Sequence, residues 1–446
     1  MAGGPVHRIR KLAVAVQIAA ACALACVSAR AAEPGWRDTY RAAMAARAAH
    51  DIAGYHAHLV ELQHVLGETA GLSYQLARAE ALAGHREAAL AHLSDYAASG
   101  LVRDVGADSD FVACFADTRF HALVQRVRHN EDPCGGGALV HRFADAGCLT
   151  EDLTRDPASG HWFVASVRRG MVLEIGAAGA ETPLAGLVPA GWGAFAVRID
   201  APRRRLWAAV AATATSDGYA AADSDRTALI AWDLASRRVV RRLEPPRDRK
   251  RLLGDMTVGP DGAVYVADGT AGALFVARPG ADSLVALVPD GVLDSPQTPA
   301  LAADGRRLYV PEYGRGIAIV DATTGTVSRL TGGPALFLSG IDGLYADGAS
   351  LIAVQNGARP ERIVRLRLAA SGSHTLGWDC LVQGTAGLGE PTHAAIVGRD
   401  LVYIANSGWD RVGDDQRMQD APGAAPAELR RIALGPRPLA PVRGGR

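Results

Sequence analysis

The chain has 446 residues, enough for more than one domain, and at 49% hydrophobic it can fill sizeable cores. Lys plus Arg and Asp plus Glu both number 47, so no global field favours nucleic acid or an anionic membrane, and no nucleic-acid partner is expected. The charged clusters at 203–205 and 247–251 read as solvated hairpin tips.

The first 32 residues have the order of a secretory signal peptide. A basic start (His7, Arg8, Arg10, Lys11) precedes an apolar stretch from Leu12 to Val27 and the small-residue exit Ala29-Arg30-Ala31. Cleavage near Ala31 or Ala32 predicts an exported protein, periplasmic or secreted, with a lipid anchor at Cys26 as a competing detail. No later segment reaches the roughly 20 apolar residues that span a bilayer. Removal of the signal leaves Cys114, Cys134, Cys148 and Cys380, and export permits disulfides among them. Cys134 and Cys148 stand close together in the chain and are the expected pair. No Cys-x-x-Cys spacing suggests zinc or a redox site.

From Trp36 to about Arg128 the apolar positions recur at three and four residues, which is a helical period. Leu76, Ala79, Ala83, Gly84, Ala88, Leu90 and Leu93 fit a helix, a tight Gly turn and a second helix. This pattern resembles the tetratricopeptide repeat. A weaker unit runs from Arg37 to Leu66, and 108–127 looks like a closing half. Such helical hairpins imply a protein or peptide partner. Cys134-Gly135-Gly136-Gly137 ends the helical period and places the boundary between Glu131 and Gly137.

After that boundary one phrase recurs six times: a polar turn, often Asp-Gly, followed by a strand centred on Phe163, Trp207, Tyr265, Tyr309, Ile352 and Tyr403. The steps between these anchors are 44, 58, 44, 43 and 51 residues, the spacing of β-propeller blades. The predicted fold is therefore α plus all-β in two domains. Helical hairpin repeats over 33–130 follow the signal at 1–32, and a six-bladed propeller spans 138–436. A propeller must close its ring, and either Leu139–Phe143 or Leu429–Ala433 could be the clasp. The polar stretch 211–226 lengthens the second blade and reads as a long loop over one face, either plain surface or a lid.

The innermost strand of each blade delivers its first residues to one rim of the channel, so the anchors serve as a ruler. Counting back ten to twelve positions gives Glu151, Phe195, Asp255, Gln297, Asp342 and Thr392. Five of the six are polar and three are carboxylates. Oxygen-rich convergence of this kind suits a hard divalent cation, calcium above all.

On Glu151, the segments GDMTVGPDG and GIDGLYADG and the blade phrase SPQTPALAADGRRLYVPE, the stretch from Leu139 to Asp410 resembles the senescence marker protein/gluconolactonase family of six-bladed propellers. The resemblance implies a divalent ion held by a Glu, an Asn and an Asp, which fall on Glu151, Gln297 and Asp342. It also implies that Asp342 transfers the proton in lactone opening. The family's substrate-facing Asn falls on Gly254, beside Asp255, a second candidate base. Thr392 and His393 at the rim of the last blade and Asn406 after its strand are candidate contacts for a small-molecule ligand at the mouth. Arg359 and Arg362 could greet an anionic one. No Gly-x-Ser-x-Gly elbow or phosphate loop appears. Two functions follow: an exported, metal-dependent hydrolase of lactones or related esters, or a non-catalytic binding module.

Overall fold

The computed structural model describes residues 35–435, so the signal segment and Cys26 lie outside the described residues. Helices span Trp36–Ala48, Ile52–Leu66, Ala70–Leu82, Arg86–Ala98 and Thr118–His129. Short polar side chains start three of them: Asp51 accepts from the Gly54 amide at 2.9 Å, Thr69 from Leu72 at 3.3 Å and Asp117 from Arg119 at 2.9 Å. Gly84, at φ 82°, makes the left-handed turn between the third and fourth helices. Two apolar clusters bind the hairpins, one on Tyr55, Leu59, Leu62, Leu72 and Leu76, the other on Tyr74, Tyr96, Phe111 and Phe120. Replacing Asp51 by alanine should cost about 1 kcal/mol, read as a lower urea midpoint with the slope unchanged.

The rest of the chain forms six antiparallel sheets arranged as a six-bladed propeller. Their innermost strands are Thr150–Arg155, Gly193–Asp200, Leu253–Val258, Ala300–Leu301, Gly343–Asp347 and Ala394–Val397. All six anchors lie on second strands and are buried. Five fill the space between their own blade and the next, as Phe163 packs with Ala194 and Val197 and Tyr309 with Leu344 and Leu351, whereas Tyr403 packs back on Ile352 and Val354 of the fifth blade. The repeat thus marks inter-blade packing, where a large apolar side chain removes the most surface from water.

Both clasp segments are used, and they pair with each other. Ala138–Arg142 is the outer strand of the last blade, hydrogen-bonded to Glu428–Ala433 with Leu139 opposite Arg430. Just before it, Cys134–Gly135 adds a fifth strand to the fifth blade, opposite Gln383 and Val382. This pairing corrects the expected disulfide: Cys134 bonds Cys380, not Cys148. Cys148 has already turned inward, where it is a buried free thiol packed with Phe143 and Leu153.

Two arginine readings are also corrected. Arg251 is no solvated tip: it is buried among Asp268, Asp290 and Asp248. Arg362 is 2% exposed and cannot meet a ligand. Its Nε donates to Gln355 at 2.8 Å, its Nη1 donates to the Ser99 carbonyl at 2.9 Å, and its guanidinium stacks on Trp378. It ties the propeller to the helices.

In a sheet of alternating strand direction, the starts of the innermost strands and the loops between second and third strands share one end of the channel. The helices dock at this end, on blades four and five. Trp36 Nε1 donates to Asp294 at 2.8 Å, the Ala70 amide to the Leu336 carbonyl at 3.0 Å and the Val102 amide to the Arg359 carbonyl at 2.8 Å. Gln383 reaches back to the carbonyls of Asn130 and Asp132. On the opposite side of the mouth, the 406–427 loop of the last blade packs Trp409, Val412 and Met418 against Leu149, Val167 and Phe195. The lengthened 212–226 loop lies at the same end against the first blade, where the Asp217 amide donates to the Arg168 carbonyl.

Candidate metal centre

Glu151 is the second residue of its strand, Asp342 immediately precedes Gly343–Asp347, and His393 immediately precedes Ala394–Val397. These positions turn three side chains inward at one level of the channel. Each offers a ligand atom, a carboxylate oxygen or an imidazole nitrogen, and the three atoms lie within 4.8 Å of one another. The two carboxylates keep part of their surface open to the channel, whereas His393 is 1% exposed.

Neutral or hydrogen-bonding groups support the acids. Asn356 Nδ2 donates to Asp342 Oδ2 at 2.7 Å, and the Tyr313 hydroxyl donates to Asn356 Oδ1 at 3.1 Å. Trp409 Nε1 donates to Glu151 Oε2, and the Thr392 hydroxyl donates to the Glu151 carbonyl at 2.9 Å. Asp255 Oδ1 accepts from the Thr298 hydroxyl and pairs with His393 Nε2, both at 2.7 Å. His393 Nδ1 is buried without a hydrogen-bond partner among the described residues.

The electrostatics follow from this crowding. Burial first, and then the charge of Asp342, push the Glu151 carboxyl well above its ordinary range. Burial, opposed by His393 and reinforced by Asp255, pushes Asp342 up to about 6. Burial works against a charge on His393, but the hydrogen bond and charge of Asp255 outweigh it and push the imidazole up to about 10.

Of the residues expected at the rim, the structure brings Glu151, Asp255, Asp342, Thr392 and His393 together. The Gln297 amide donates its NH2 group to the Ser295 carbonyl and hydroxyl at 3.1 and 3.3 Å. The Asn406 amide donates its NH2 group to the Ala425 and Pro426 carbonyls and closes the 406–427 loop. Phe195 lies in the apolar cluster beneath that loop. Thr298, Tyr313, Asn356 and Trp409 were not assigned from the sequence. A second ruler would have found two of them, because Tyr313 and Asn356, like Asn406, are the first residues after a second strand.

Beyond this level the channel holds a cavity of about 200 Å³ lined by Arg198, Thr257, Thr298, Leu344, Tyr345 and Ile396. Arg198 is paired with Asp152, which is 0% exposed and also accepts from the Val197 and Leu153 amides at 2.8 Å. That arginine is thus neutralised by its own carboxylate.

No protein-family model and no curated protein matches the sequence. Several solved propellers are similar in structure. Aldose sugar dehydrogenase from Streptomyces coelicolor, in its PQQ-bound form, gives a TM-score of 0.45 at 17% identity over 67% of this chain and 99% of its own. XC5397 from Xanthomonas campestris, described as a gluconolactonase, gives 0.44 at 15% identity, covering 68% and 94%. Virginiamycin B lyase from Staphylococcus aureus gives 0.43 at 14% identity, covering 60% and 81%.

Proposed function

We propose that this protein is an exported, divalent-cation-dependent hydrolase of lactones or related esters, with its site at the propeller mouth. The observation that carries the reading is the convergence of Glu151, Asp342 and His393 within 4.8 Å. The donor set fits a hard cation. Among the described residues, hydrogen bonds to the two acids go to Glu151 Oε2 and Asp342 Oδ2, which leaves Oε1 and Oδ1 free of protein donors. No Arg or Lys among the described residues pairs with either acid, so a cation would offset the burial, and the repulsion that adds to it, that raise both. Calcium suits the two carboxylates better than zinc does.

A bound cation would supply positive charge to polarise a carbonyl group. The chain's own residues do the rest. Asp342, oriented by Asn356, would take the proton of a water whose oxygen adds to the ester carbon, and return it to the alcohol oxygen as the ester C–O bond breaks. Asp255 and Thr298 fix the imidazole plane of His393. Trp409 and the 406–427 loop close one side of the mouth and would hold a small substrate against the rim.

Export is supported by the Cys134–Cys380 disulfide, which persists in an oxidising compartment. No helix among the described residues is long and apolar enough to cross a membrane. A partner at the helical hairpins remains part of the proposal.

Two measurements test the reading. Hydrolysis of simple aliphatic and sugar lactones should be lost with chelator and restored by calcium; calcium binding without turnover of any lactone or ester would instead favour the binding-module reading. The second is pH-dependent. Asp342 is raised in the folded state, so its contribution is full below about 3.8 and lost as pH rises through about 6. His393 behaves likewise between 6.5 and about 10. The cation-free protein should therefore melt at progressively lower temperature from pH 6 to pH 9, and calcium should stabilise it more at pH 9 than at pH 6. A calcium shift that shrinks with rising pH would remove these residues from the cation site.

A further inference from the structure

The hydrogen bond on Asp342 is the first link of a chain that leads out of the channel. An amide side chain has one carbonyl and one NH2 group, so the Tyr313 hydroxyl on Asn356 Oδ1 decides which way that amide faces. With Oδ1 occupied, Nδ2 must point at the carboxylate. Tyr313 and Asn356 open two neighbouring loops, and the helical domain holds both. The Trp36 ring lies against Gly314, so close that a methyl added there would sit 3.2 Å from it, and Trp36 and Arg37 both bind Asp294. On the other loop, Ala358 is inserted into the apolar core of the helices and the Arg359 carbonyl accepts from the Val102 amide.

The two loops are also locked to each other. The Gly340 amide donates to the Tyr313 carbonyl at 2.7 Å, and the Gly357 amide donates to the Gly340 carbonyl at 3.1 Å. A methyl at Gly357 would lie 2.6 Å from the Gly340 Cα and 2.7 Å from the Tyr313 hydroxyl. Movement of either loop is therefore felt at Asn356.

We propose that Tyr313 and Asn356 are positioning residues for Asp342 and that the docked helical domain sets their geometry, so that cation affinity at the propeller mouth depends on the first helix. The proposal rests on the cation reading of Asp342. It gives the helical domain a role in the site itself, distinct from gripping a partner. Groups that orient a metal's carboxylate ligand commonly change affinity by tenfold or more when removed.

The test is calorimetric titration of the full chain with calcium, and in parallel with manganese, alongside thermal melts without cation. Tyr313→Phe keeps the ring and the fold, and should weaken binding about three- to tenfold with an unchanged cation-free melt. Asn356→Leu should weaken it roughly tenfold or more. Trp36→Ala with Arg37→Ala, on the first helix, should reproduce the Tyr313→Phe loss. Wild-type affinity in Tyr313→Phe and Asn356→Leu would overturn the positioning roles. Losses in those two with wild-type affinity in the Trp36/Arg37 variant would overturn the interdomain link alone. A wild-type protein that binds neither cation would sink the cation reading and the proposal with it.

Discussion

An Asp342→Asn variant should lose about 10²- to 10⁴-fold in kcat for lactone hydrolysis, the usual weight of a positioned general base. The substitution is nearly isosteric and removes one negative charge from a site where Glu151 and Asp255 already repel it. The folded state should not suffer: a carboxyl pushed up to about 6 by burial destabilises the cation-free protein at neutral pH, so its removal should leave the melting temperature unchanged or raised. The two readouts thus move in opposite directions, which separates a lost chemical role from a damaged fold. Calcium affinity should fall as well, since an amide oxygen replaces a charged ligand. Activity within tenfold of wild type would exclude Asp342 from proton transfer.

The second large effect concerns stability. The Cys134–Cys380 disulfide joins residues 246 apart in sequence, fastening the domain junction to the outer strand of the fifth blade. Cross-linking so long a loop restricts the unfolded chain strongly, and replacing both cysteines by serine should cost about 3–5 kcal/mol. The loss should appear as a lower denaturant midpoint for the propeller, and reduction of the wild type should approach the same value. The loop 130–134, which carries the Gln383 contacts, should open first and become the earliest site of proteolysis. A difference below about 1 kcal/mol would mean that the sheet pairing alone holds this junction.

The propeller was legible because its signal is periodic. Six anchors separated by one blade length report a packing requirement met six times, and the rim positions follow by counting along strands of known direction. What escaped depends on contacts that counting along a strand does not report. Gln297 has the right count, but Ser295 at φ 50° turns the segment and captures its amide. Asn406 takes φ 57° and spends its side chain on the ends of its own loop. Arg251 reads as one charge in a basic run until Asp268 and Asp290 arrive from another strand and a distant turn. The disulfide escaped for the same reason: closeness in sequence favoured Cys148, whereas pairing with the fifth blade brought Cys380.

The ring closure has a consequence for how the chain is made. Ala138–Arg142 leaves the synthesis machinery before any complete blade, yet its hydrogen-bond partner, Glu428–Ala433, is almost the last described segment to emerge. The first five blades each own four strands and can form in order of appearance, while the sixth waits for both ends of the domain. Until then two strand edges stay open to solvent, to chaperones and to each other's copies in neighbouring nascent chains. A chain stopped before residue 428 would hold every candidate ligand of the mouth and still have no closed channel in which to bring them together.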